Sequence, residues 1–145
     1  MPDPFHVYCA VRVACVERPE LRYKSWPDEK SHQMADHRWD NYFQGFCFIA
    51  TQVFCHHVQD ARPWSREAEH YWAVVNDTIW DPTADQFDLE RLQMIYRQGR
   101  PGCRRSDMTE RARALEENVS AWLQIPIEKL PSIEALTADL HPATV

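Results

Sequence analysis

Three side chains in this sequence have the types and spacing to activate a sulfur nucleophile: Cys47, His70 and Asp81. Cys47 sits in "NYFQGFCFIA", directly after a glycine and at the head of a run whose apolar residues recur at helical spacing. The first turn of a helix gathers unpaired backbone N–H groups and the positive end of the helix dipole, and both favour an anionic sulfur. The same N–H groups could hold the oxyanion formed during acyl transfer. Among the other cysteines, Cys55 lies two turns further along that helix and reads as structural, and Cys9 and Cys15 read as core positions. Cys103, set among arginines in "RQGRPGCRR", is the rival nucleophile. A cysteine on an apolar helix is most often a small buried hydrophobe, so Cys47 needs partners before it means anything.

The partners come from "HYWAVVNDTIWDPTADQF", residues 70–87. If Asn76 and Asp77 form a two-residue turn, Val75 pairs with Thr78 and Trp72 with Asp81. Alternation along a strand puts His70 and Trp72 on one face. Asp81 then lies on that same face, diagonal to His70 and within side-chain reach. A three-residue turn would throw it to the opposite face. An acid there fixes the imidazole tautomer and stabilises its cationic form, while the other ring nitrogen faces the thiol. The remaining histidines, among them His56 and His57 at the far end of the core helix, read as partly exposed or satisfied by packing. A metal site from His57, His70 and Asp81 is conceivable, but no ligand spacing favours it, and no Cys-x-x-Cys pair suggests structural zinc. No cofactor is expected.

The elements that must hold these groups are legible to different degrees. Phe46, Ile49, Ala50, Val53 and His57, with Phe54, mark one stripe of a helix starting after Gly45 and ending before "DARPW". "DLERLQMIYRQG" reads as a helix with Asp88 as N-cap and Gly99 beyond its end. A further helix begins near Asp107 or Thr109. At the N-terminus, Val7, Cys9, Val11, Val13 and Cys15 alternate as on a strand, while Val7, Ala10, Val11, Ala14 and Cys15 mark a helical face. The helix is the preferred reading. Pro126 and Pro131 punctuate the tail, whose last ten residues read as a disordered end. The pattern is α+β: a core helix carrying the cysteine, packed on a small antiparallel sheet, with C-terminal helices.

The 145 residues make about one domain. The net charge of −6 argues against a nucleic-acid binder. The basic cluster from Arg97 to Arg105 reads as a solvated loop, with an anion-binding patch as the alternative. No apolar stretch of ~18 residues predicts a membrane span, and the first residues lack the pattern of a secretory signal. An odd number of irregularly spaced cysteines does not suggest a disulfide framework, which points to the cytoplasm.

"GFCFIATQVF" followed by "HYWAVVNDTIWDPTADQF", with the later "YRQGRPGC" and "ERARALEENV", resembles the YunG-like family of small bacterial and phage proteins. The likeness spans roughly residues 40–120. The family's Cys, His, Asp order is similar to that of the papain-like superfamily, especially its transglutaminase-like and NlpC-type branches. The resemblance implies a papain-like core over residues 38–122, a variable segment over 1–37 and a tail over 123–145. It also implies Cys47 as nucleophile, His70 as general base and then acid, and Asp81 as orienter. Asp85 competes with Asp81 for that last role. Gln86 and Trp72 count as substrate-contacting positions, and Gln44 or Asn41 would join the Cys47 N–H at the oxyanion. The interval between Cys47 and His70 is short for such enzymes and leaves room for only a minimal sheet.

Two functions follow. The first is a thiol hydrolase or acyltransferase acting on an amide, peptide or isopeptide carbonyl of a protein or small substrate. The second is a binding module without chemistry, phage- or toxin-associated, that captures a protein partner through its aromatic surface.

Overall fold

The computed structural model describes residues 2–22, 43–66, 69–103 and 107–138. Asn41 and the whole segment 25–40 lie outside the described residues; of the last ten residues, expected as a disordered end, 139–145 lie outside as well, while 136–137 belong to a helix.

Helix α1 runs Pro4–Glu17. Its start is set by Asp3, whose side chain accepts from the Phe5 N–H, followed by proline in the first turn. That cap settles the ambiguous N-terminal pattern for a helix, and it starts the helix ahead of the apolar run. Val7, Ala10, Val11 and Ala14 are wholly buried on it. Helix α2, Cys47–His57, is the cysteine-bearing core helix. It is more central than one stripe implies, because Thr51 and Gln52 are buried along with Ile49, Ala50, Val53 and Phe54. Gln52 meets that burial by donating to the Asp107 carbonyl at 2.8 Å and accepting from Thr109. These bonds tie α2 to the N-terminus of the helix that follows the basic turn.

The sheet has four antiparallel strands in the order β3-β2-β1-β4: β1 Arg62–Arg66, β2 His70–Val75, β3 Thr78–Trp80 and β4 Arg100–Pro101. The hairpin register is the one counted from the sequence, with Val75 opposite Thr78 and Ala73 opposite Trp80. Asn76 and Asp77 both take positive φ, 48° and 67°, as the tight turn that matches strand twist requires. Two strands were not anticipated. β1 has no alternation of apolar and polar residues, so it left no sequence signal. β4 falls inside the basic cluster, where Arg100 pairs with Ser65 and Pro101 with Trp64. That part of the cluster is a sheet edge rather than a loop, and proline is tolerated there.

Helix α3, Leu89–Arg97, starts on Asp88, which accepts from the Arg91 N–H at 2.8 Å. Helix α4, Glu110–Leu123, is capped by Thr109, and a short α5 spans Ile133–Thr137. The main core joins α1, α2 and α4 with Ala73 of β2. A second, smaller cluster of Trp72, Phe87, Leu92 and Ile95 fills the space under α3. The molecule is thus mixed α+β with a small antiparallel sheet, and the two clusters meet across β2. Among the described residues no helix is long and apolar enough to cross a membrane.

Candidate active site

His70 is the first residue of β2 and is completely buried. Trp72 stacks beside its ring at 5.8 Å between centroids, and Phe87 meets it edge-on at 4.9 Å. Position 99 must be glycine for this packing, because a Cβ there would stand 2.4 Å from the Trp72 ring. Behind the ring, Arg66 and Arg91 both pair with Glu69, the residue before His70, and so bind the β1–β2 connection to α3.

Asp81 follows the last residue of β3 and is 6% exposed. Its Oδ2 lies 2.7 Å from His70 Nε2. The same oxygen accepts from the Tyr96 hydroxyl at 2.6 Å. Oδ1 accepts from the Thr83 backbone N–H at 3.2 Å, an Asx-type turn enforced by "DPT". A buried carboxylate held by this many donors is fixed in direction, and it holds the ring in turn.

With Nε2 engaged by Asp81, Nδ1 is the remaining nitrogen. It is buried and makes no hydrogen bond of ordinary geometry. Besides Asp81, the Cys47 thiol is near enough to the imidazole to raise its pKa as well. Burial alone would pull the His70 pKa down. Asp81, by charge and hydrogen bond, overrides burial, the thiol adds to it, and the result is about 10. A cationic ring is therefore the stable form at neutral pH, set between a carboxylate and a sulfur.

Cys47 is the first residue of α2 and is partly exposed. Gly45, at φ 85°, turns the chain into the helix. Phe46 at the N-cap offers no side-chain acceptor to the first-turn N–H groups. Phe48 packs on Tyr71 of β2 at 5.0 Å between ring centroids, which draws the start of α2 onto the start of that strand. Burial pushes Cys15 far up, Cys55 up to about 12, and Cys9 up to a lesser degree.

The remaining residues singled out in the sequence separate clearly. Asp85 does not orient His70, because it makes a two-pronged pair with Arg12 at 2.7 and 3.1 Å. Arg12 also donates to the Pro82 carbonyl at 2.8 Å, so the pair clamps the loop carrying Asp81 to α1. Gln86 is 3% exposed and donates to the Thr83 carbonyl and hydroxyl, bracing the same loop instead of facing a substrate. Trp72 is 1% exposed and supports the imidazole from below, with no surface for a substrate. Gln44 is buried in the turn that enters α2, three residues before Cys47. His57 is far from His70 and Asp81 in the fold and instead faces Glu116.

Tyr96 and Thr83 were missed. Thr83 was readable from the Asx-turn habit of Asp-Pro-Thr. Tyr96 was not, since only tertiary packing brings the end of α3 to Asp81. Burial, with Asp81 next to it, raises the Tyr96 pKa strongly, so the phenol remains a donor. No protein-family model matches the chain, and no curated protein or solved structure matches it.

Proposed function

We propose that the chain is a cysteine-dependent hydrolase or acyltransferase that attacks an amide, peptide or isopeptide carbonyl. The observation that carries this reading is the position of His70, with Asp81 at 2.7 Å on Nε2 and Cys47 opening the helix whose Phe48 packs on Tyr71, the residue after His70. Sulfur attacks the carbonyl carbon with its proton already held at Nδ1 of the cationic His70 ring. The oxyanion faces the N–H groups opening α2, with Gln44 as the side-chain donor nearest in sequence. The imidazolium then returns its proton to the leaving amine, leaving a thioester. Water or an acceptor amine gives a proton to His70 and bonds to the thioester carbonyl carbon, and the sulfur leaves beside the cationic ring, which restores the starting pair. Asp81 stays ionised throughout and holds the ring.

The finer fold reading, a papain-like core of the YunG-like kind, rests on the same arrangement of a helix-borne cysteine facing a strand-borne histidine and its acid. All five cysteines are free, which suits a reducing compartment such as the cytoplasm. The binding-module reading draws little from the structure. Trp64, Trp72, Trp80 and Trp122 all pack against the two clusters instead of forming a surface. Cys47, being partly exposed, is not sealed beneath apolar side chains.

The test is intact-mass spectrometry after brief exposure to a panel of activated esters and primary carboxamides. One acyl group should add to the native chain and none to Cys47→Ala. Acylation of Cys47→Ala at the native rate would overturn the proposal.

A further inference from the structure

At the other end of α2, about 15 Å from Cys47 by helix rise, a second group of chemistry-bearing side chains converges. His56 and His57 close the helix, and Glu116 faces them from α4. One ligating atom from each of the three lies within 4.8 Å of the others. We propose that His56, His57 and Glu116 form a binding site for a divalent transition-metal ion of the zinc class, separate from the Cys47 site.

The spacing fits such an ion. His57 Nε2 stands 3.2 Å from Glu116 Oε1. Two ligands at zinc distances and a tetrahedral angle stand about 3.4 Å apart. The His57 nitrogen is nevertheless buried without a hydrogen bond, so the carboxylate is near it but no proton bridges them in line. A buried polar atom in that condition costs free energy, and a cation between the two groups relieves it. The two imidazoles are mutually perpendicular, with centroids 5.0 Å apart, so their lone pairs can converge without the rings stacking. Ser120 donates to Glu116 Oε1 from one turn further along α4, which fixes the carboxylate as outer partners of metal ligands commonly do. The location also suits a cation, because the last turn of α2 carries the negative end of its dipole.

Next to the ligands is a cleft of about 400 Å³ lined by Pro2, His6, His57, Ser120, Leu123 and Gln124. His57 is both ligand and wall, so the remaining coordination positions open towards this space, as at a site that keeps a place for water or a small ligand. His6 brings a second buried nitrogen, Nε2, without a hydrogen-bond partner to the same cleft. It is placed to accept a proton from, or donate one to, a molecule bound at the ion.

The experiment titrates the tag-free, metal-stripped full chain with Zn²⁺ by calorimetry, and with Co²⁺ by visible absorption. One equivalent should bind, give the ligand-field bands of a four-coordinate centre without a thiolate charge-transfer band, and raise the melting temperature. His57→Ala and Glu116→Gln should each weaken binding by about a hundredfold. His56→Ala tests the same point at an exposed position where the fold is not at risk, and it should weaken binding similarly. The absence of saturable binding, a cobalt spectrum with thiolate bands, or equal affinity in the His56→Ala protein would overturn the proposal.

Discussion

Replacing Asp81 by Asn keeps the size and hydrogen-bonding capacity of the residue but removes the charge that holds His70 cationic. In the native chain burial lowers the His70 pKa, Asp81 reverses this, and the value is about 10 against an ordinary 6.5. A folded-state pKa above the unfolded value gives stability that is complete below about pH 6.5 and is lost as pH rises through about 10. At about 1.4 kcal/mol per unit, the full contribution is on the order of 5 kcal/mol, disappearing by at most about 1.4 kcal/mol for each pH unit. In Asp81→Asn burial, the largest influence, is opposed only by the Cys47 thiol, so the folded pKa falls towards or below 6.5 and the stabilising effect at neutral pH is lost. The measurement is urea unfolding of both proteins at several pH values from 6 to 9. The native advantage should shrink by about 2–3 kcal/mol between pH 7 and pH 9. Cys15 and Cys55, whose pKa values burial raises, also lose stabilising effect at high pH. Neither is affected by Asp81, so both cancel in the difference. The Tyr96 phenol ionises only above this window. An advantage that is flat or grows with pH would refute the assignment of Asp81 as the group that sets the charge of His70.

Three other substitutions separate the parts of the site. Gly99→Ala should destabilise by about 1–3 kcal/mol and disturb the His70 ring signals in NMR spectra, because its Cβ would overlap the Trp72 ring at 2.4 Å; a native spectrum would count against Trp72 as the support. Tyr96→Phe removes the 2.6 Å donor to Asp81 and should cost about 1.5–3 kcal/mol by urea unfolding at pH 7, where no change would mean that the bond adds nothing. Asp85→Asn should leave the NMR titration of His70 unmoved and change stability by at most about 1 kcal/mol, whereas a large fall in the His70 pKa would return the orienting role to Asp85.

Much of this was legible in the sequence because it follows from local rules. The two-residue turn at Asn76 and Asp77 fixes the hairpin register, and the register alone places Asp81 beside His70. Asp88 before α3 and Gly45 before α2 mark helix starts in the same local way. What escaped depends on distant parts of the chain. β1 was silent because "RPWSR" has no alternation of its own and becomes a strand only between β2 and β4. Asp85 was set against Asp81 as orienter, and Gln86 and Trp72 counted as substrate contacts, because sequence proximity to the motif says nothing about direction. Arg12, Thr83 and the space under α3 decide where each points. The His56–His57–Glu116 group was missed for the same reason, since its carboxylate is supplied by a helix far along the chain.

The separation of roles also bears on reactivity. Cys15 is sealed, Cys55 is held as a thiol by burial, and Cys47 has an imidazole acting with it. The most direct measurement is competition among all five thiols for a substoichiometric amount of iodoacetamide, with the folded chain at pH 6 and the label located by peptide mapping. An isolated thiol is almost wholly protonated at that pH and reacts slowly. The expected result is label confined to Cys47, absent from every cysteine of Cys47→Ala on the same timescale, and acquired at least a hundredfold more slowly in His70→Gln. Label that falls first on Cys9 or Cys103, or a rate at Cys47 that His70→Gln leaves unchanged, would contradict the central claim that these residues act as one nucleophilic unit.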